Sequence, residues 1–158
     1  MNKWYALAFA VCVADQLTKQ LASIWLDFAI PEPVIPGFNL FLIHNTGAAF
    51  SFLADQSGWQ RWFLSAVALT VSLLVMFWIS RLGNGDRRTA FALALVLGGA
   101  LGNLIDRLYL GYVVDFIQLY YRQWSWPAFN LADSAICLGA AVLIWTSTKS
   151  VPTQKSVK

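Results

Sequence analysis

The chain is predicted to be a mainly α-helical membrane protein, a bundle of four transmembrane helices with a small β element at the bilayer surface. Three observations carry this. Of its 158 residues 58% are hydrophobic and only 12% are charged, about half the share of charge in a soluble domain. Apolar runs near the length needed to cross a bilayer, about 20 residues, recur along it. Between those runs lie short connections rich in proline, glycine or aromatic residues. Together they describe one membrane-embedded domain over residues 1–148, followed by a polar tail, 149–158, expected to be disordered and cytoplasmic.

The first span is expected over about 4–26, apolar except for Asp15, Gln16, Lys19 and a few small polar residues. A cleaved signal peptide is the rival reading, with Lys3 as its basic end and Cys12-Val13-Ala14 as a small-x-small cleavage site. The apolar pattern resumes after Lys19, through Leu21, Ala22, Ile24, Trp25 and Leu26, and this favours an uncleaved helix. Residues 27–37 hold Pro31, Pro33 and Pro36 and read as a loop. Phe38 to Ile43 is rich in strand formers, and a second short apolar run, 48–53, follows His44-Asn45-Thr46-Gly47. A hairpin-like element over about 35–55 with Gly47 at its turn is predicted, although a short interfacial helix would read similarly.

The second span is expected over 59–80, with Trp59, Trp62 and Trp78 at aromatic-belt positions. A glycine-bearing basic turn, 81–88, leads to a third span over 89–109, where Gly98, Gly99 and Gly102 would let a neighbouring backbone approach. Residues 111–127 read as an aromatic segment lying at the interface. The fourth span is expected over 126–147, with Pro127 in its first turn. On that reading Asp133 lies about seven residues into the helix, about 10 Å down at 1.5 Å per residue.

Four spans put both termini on one side. That side, with the 81–88 turn, would carry Lys3, Arg81, Arg87, Arg88, Lys149, Lys155 and Lys158, leaving Lys19, Arg61, Arg107 and Arg122 elsewhere. The positive-inside rule then makes both termini cytoplasmic. All the acids except Asp86 fall in the outer half or the outer loops. A net charge of +3, with no run of like charges and no basic patch interleaved with aromatics, gives no support to a nucleic-acid partner. Cys12 and Cys137 lie inside apolar runs without CxxC spacing. They read as small buried hydrophobes, neither a disulfide nor a metal site, and no cofactor is implied.

The polar residues within the spans carry the functional signal. A charge at membrane depth costs roughly 2.5–3.5 kcal/mol on insertion scales, so such groups are paired, wetted or functional. Asp15 and Lys19, four apart on one helical face, read as a structural ion pair. Asp106, next to Arg107 and one turn after Asn103, reads as a hydrogen-bonded clasp at a helix end. Asp115 and Asp133 differ, because neither has a basic residue within a helical turn. If both face one small site they cannot both ionise cheaply, so one keeps its proton. Such a pair can hydrolyse a peptide bond through water alone. Two other classes stay open at this point. An ion or proton relay would need polar groups through the full thickness, whereas the inner halves of the second, third and fourth spans offer only Ser or Thr. A scaffold would tolerate neutral aspartates.

Five blocks in order then carry a resemblance: Asp15-Gln16-Leu17-Thr18-Lys19, Asn45-Thr46-Gly47-Ala48-Ala49-Phe50, Gly102-Asn103-Leu104-Ile105-Asp106-Arg107, Val114-Asp115-Phe116 and Phe129-Asn130-Leu131-Ala132-Asp133-Ser134. In this order and at these separations the chain resembles the lipoprotein signal peptidases, also called signal peptidase II. The resemblance implies a bacterial inner-membrane aspartic endopeptidase of four spans with a small extracytoplasmic β-cradle. Its substrates would be prolipoproteins already carrying diacylglyceryl on a cysteine, cut on the amino side of that cysteine. It implies a catalytic dyad at Asp115 and Asp133, with Asp15, Asn45, Asn103, Asp106, Arg107 and Asn130 supporting; Lys19 and Gly47 belong to the same blocks. Asn45 and Asn130, as neutral donors, would hold the tetrahedral oxygen or the substrate backbone. His44 is expected to be a bystander. The expected state is a monomer surrounded by phospholipid, with its site near the outer face.

Overall fold

The computed structural model describes residues 2–47, 58–83 and 85–149. Four helices carry the chain: α1 (Asn2–Trp25), α2 (Trp59–Arg81), α3 (Arg87–Tyr109) and α4 (Leu131–Lys149). Four strands lie at one end: β1 (Pro31–Ile35), β2 (Phe38–Asn45), β3 (Val113–Tyr121) and β4 (Trp124–Ser125), forming an antiparallel sheet in the order β1-β2-β3-β4.

The middle helix of the bundle is α3, which packs against each of the other three. Its composition makes this possible. Gly98 faces Ala8 and Val11 of α1, Gly99 faces Ala132 and Ile136 of α4, and any Cβ at either position would collide with those neighbours. Interfaces of small residues of this kind bring helix backbones close where lipid supplies no hydrophobic drive. By contrast α2 and α4 turn large apolar side chains outward, Trp62, Phe63, Leu74 and Phe77 on one and Leu138 and Ile144 on the other. Among the described residues α2, α3 and α4 are the helices long and apolar enough to cross a bilayer. At 24 residues α1 is just as long, but it carries the buried Asp15 and Lys19.

The structure corrects the expected β element. The hairpin seen joins β1 to β2, with its turn at Pro36-Gly37 and Gly37 at φ 91°, while the turn expected at Gly47 leads into residues outside those described. The partner of β2 on one side is the proline-bearing segment expected to be a loop, and on the other it is β3. Pro31 and Pro33 fit because β1 is an edge strand, where a missing N–H costs no ladder bond. The expected second strand, 48–53, falls outside the described residues. The stretch expected to lie as an interfacial aromatic segment is largely β3 and β4. The fourth helix starts at Leu131, five residues later than expected, because residues 126–129 continue alongside β3: Phe129 accepts from the Phe116 and Ile117 amides and donates to the Ile117 carbonyl.

Candidate active site

The helix start and the sheet end meet at Asn130. Its side-chain oxygen accepts from the Asp133 amide at 2.9 Å, and the Asp133 carboxylate accepts from the Asn130 amide at 3.3 Å. This reciprocal pair caps the first turn of α4. Asp133 is therefore the third residue of its helix, held at the rim with its carboxylate beside the amide end of the helix dipole, and not two turns inside. The Ala132 amide, another of the donors left over at a helix start, gives its hydrogen to Asp15 of α1 at 2.8 Å.

Around Lys19 the polar residues close into one network. Its buried ammonium meets Asp15 at 2.8 Å, Asp106 at 3.0 Å and the Asn103 side-chain oxygen at 2.9 Å. An ammonium has three hydrogens, and here each has an acceptor. The i,i+4 pair foreseen between Asp15 and Lys19 is thus part of a triad that α3 completes. Asp106 also accepts from Gln16 at 2.7 Å and from the Val114 amide at 3.1 Å. That last bond ties β3 to α3 one residue before Asp115. A methyl group at Gly102 would run into the Asp15 carboxylate, so glycine is required where α1 and α3 bring these charges together.

Asp115 is buried on β3, beside a bulge in β2 between Leu40 and Ile43. It accepts from the Asn45 side chain at 3.0 Å and the Asn130 side chain at 2.7 Å. Asn103 spans the site, donating to Asp133 at 2.8 Å while its oxygen accepts from Asn130 at 3.2 Å. The amides of Asn45 and Asn130 are therefore engaged with Asp115. Arg107 reaches the Gly47 carbonyl at 3.3 Å. Asp115, Asp133, Asn45, Asn103 and Arg107 all line one cavity of about 880 Å³, walled on its apolar side by Phe41, Trp126 and Phe129 among others. A smaller cleft of about 400 Å³ opens between α1 and α3 behind Lys19 and reaches neither Asp115 nor Asp133.

Burial, and then the neighbouring negative charge of Asp133, push the Asp115 carboxyl up to about 7, against the pull of the two amides. This is the arrangement in which a second carboxyl retains a proton near neutrality. His44, also on the cavity wall, stacks on Tyr112 at 4.0 Å and lies against Phe28 at 4.8 Å. Partial burial lowers its pKa. Cys12 is buried as expected. Cys137 is not: one turn after Asp133 it is exposed and lines the cavity, because that face of α4 turns toward the opening and not toward α3. Among the described residues no three His, Cys, Asp or Glu side chains gather as a metal would require. Gln16, inside the first block, is the polar partner to which sequence reasoning gave no role.

A helical membrane bundle that opens two carboxylates, Asp115 and Asp133, into one cavity beneath a small sheet fits the class of intramembrane aspartic proteases. Comparison agrees. Residues 7–149 match the family described as signal peptidase (SPase) II, and the chain belongs to that family. It is 57% identical over 145 residues to the lipoprotein signal peptidase of Teredinibacter turnerae, covering 92% of this chain and 86% of that one. It is 51% identical over 143 residues to the lipoprotein signal peptidase of Polynucleobacter necessarius, covering 90% and 87%. A solved structure described as a bacterial membrane enzyme superposes with a TM-score of 0.87 at 28% identity, covering 100% of this chain and 94% of the other. The protein is a bacterial multi-pass membrane protease of this family.

Proposed function

We propose that the protein removes the signal peptide from diacylglyceryl-modified prolipoproteins, cutting on the amino side of the lipidated cysteine, with Asp115 and Asp133 as the catalytic dyad. The observation that carries this is their shared cavity together with the raised Asp115 carboxyl. Asp133, at the amide end of α4 and receiving two hydrogen bonds, carries the negative charge and acts as the base. It takes a proton from a water as the water oxygen attacks the scissile carbonyl carbon, and protonated Asp115 gives its proton to the carbonyl oxygen. The resulting gem-diol collapses as its hydroxyl proton returns to Asp115 and Asp133 protonates the departing nitrogen. The C–N bond breaks, and the dyad recovers its starting state. Lys19, Asp15 and Asp106 hold α1, α3, α4 and β3 in register. Asn45, Asn103 and Asn130 fix the two carboxyls, and Arg107 holds Gly47 at the cavity rim.

The site lies at the sheet end of the bundle, as a substrate whose acyl chains stay in lipid requires. In this reading α1 is a fourth span: its 24 residues reach about 36 Å at 1.5 Å per residue, more than a hydrocarbon core of about 30 Å, and Asp15 and Lys19 neutralise one another there. Both termini are cytoplasmic, the membrane is the bacterial inner membrane, the sheet faces outward, and the enzyme works as a monomer among phospholipids. The test is to incubate purified protein with a lipidated precursor and its unmodified twin. Only the first should be cut, and Asp115→Asn and Asp133→Asn should each lower turnover by at least about 10³-fold while remaining folded. Undiminished cleavage by Asp115→Asn would remove the dyad from the mechanism.

A further inference from the structure

The geometry points to Arg61, in the first turn of α2, as a positioning residue that fixes the α3–β3 junction and through it Arg107 and Asp115. A helix leaves its last four carbonyls without partners inside the helix. At the end of α3 the Asp106 carbonyl is taken by the Leu110 and Gly111 amides. The next two belong to Arg107 and Leu108, and a single guanidinium from another helix takes both: Arg61 Nε donates to the Arg107 carbonyl at 2.7 Å and one of its terminal nitrogens donates to the Leu108 carbonyl at 2.7 Å. Two short bonds from one rigid fork, at the negative end of the helix dipole, hold a helix end in place and not merely near.

A second observation comes from the chain reversal that follows. Gly111 has φ 91°, and a Cβ there would come within 3.3 Å of the other Arg61 terminal nitrogen. The glycine thus provides both the left-handed turn and the room for the guanidinium. Two residues later β3 begins, and Asp115 is its third residue. The residue whose carbonyl Arg61 holds is also the one whose own guanidinium lines the catalytic cavity and bonds Gly47. Arg61 is absent from that cavity lining; it acts through Arg107.

This rests on the dyad reading above, which the Asp115→Asn variant tests separately. The experiment measures kcat and KM on a lipidated precursor for Arg61→Ala, Arg61→Lys, Arg107→Lys and the two double variants, with the thermal unfolding midpoint of each. Displacing catalytic groups by about 1 Å costs on the order of 10²-fold. Arg61→Ala is therefore expected to lose 10- to 100-fold in kcat with KM within about threefold. Arg61→Lys, with a single-point donor, should recover part of this. In the Arg107→Lys background the Arg61→Ala loss should shrink to a few-fold, as expected for groups acting as one unit. A rate within twofold of wild type for Arg61→Ala overturns the inference. So does a loss that multiplies fully with that of Arg107→Lys, or one that follows the unfolding midpoint across all the variants. If Arg61→Ala does not fold, the Arg61→Lys cycle is read by the same criteria.

Discussion

The two ends of the bundle solve the same problem differently. At the end away from the sheet the core is Ala8, Val75, Ile79, Leu93, Ala94 and Leu97, apolar residues filling the space between α1, α2 and α3. At the sheet end the space between α1, α3 and α4 is filled by Asp15, Lys19, Asn103, Asp106 and Asn130, all buried, and every ionised group there has a charged or amide partner. In lipid the first arrangement gains little from sequestering hydrocarbon, because the surroundings are as apolar as the core, and it depends on close fit. The second depends on completeness, since one missing partner strands a charge. The apolar end is tolerant and the polar end is brittle, and the proposed dyad lies at the brittle end.

The sharpest way to break this comparison is to remove the central cation. Lys19→Ala leaves Asp15 and Asp106 facing each other without a counter-charge, and a loss of about 3–5 kcal/mol is expected, read as the fraction of protein that stays folded in detergent during thermal unfolding. Leu93→Ala at the other end removes a comparable number of atoms. With the transfer contribution muted by lipid, chiefly the cavity cost remains, about 2 kcal/mol, and kcat per folded molecule should not change. Equal losses from the two variants would erase the distinction. Gly102→Ala is expected to fall near or below the leucine variant in stability, because the Asp15 carboxylate must shift, yet to lower kcat as well. A Gly102→Ala enzyme with wild-type kcat would show that the network has slack.

The smallest effect is one of pH. Asp115 holds its proton up to about 7, above the ordinary carboxyl range, so the proton is present below that pH and leaves as the pH rises through it. Turnover should therefore decline on the alkaline side of about pH 7, approaching tenfold per unit, in a kcat/KM profile. The same sign applies to folding: the stability contributed by this proton is complete at low pH and is lost as pH rises through about 7. Asp133→Asn removes the negative neighbour and leaves the burial, so in an NMR titration of the variant the Asp115 carboxyl should move down without reaching the ordinary range. No movement would mean the two carboxyls do not feel one another.

Much of the frame was legible because long apolar runs are the least ambiguous signal a sequence carries. The first three helices match their expected spans to within about two residues at each end. The sheet was harder. The stretch Val113–Tyr121 is apolar almost throughout, without the alternation that marks a half-buried strand, and its tyrosines matched the interfacial pattern equally well. Pro31 and Pro33 argued for a loop, and only the three-dimensional order of the sheet reveals that their strand is an edge. Of the site, every residue singled out in the sequence lies in the network or on the cavity. The Asp15–Lys19 pair could be found from its spacing, but Asp106 as third member could not, since it joins from another helix. Arg61 was read only as a charge to be counted, because its partners are carbonyl groups and carry no side-chain signature.

One consequence follows from the way Lys19 is held. Each hydrogen on its nitrogen points at an oxygen of Asp15, Asp106 or Asn103, and Lys19 is not among the residues that line the cavity of Asp115 and Asp133. A lysine beside two aspartates in a hydrolase invites the role of proton shuttle. Here it is closer to mortar, and in the proposed mechanism the traffic of protons is left to Asp115, Asp133 and the water between them.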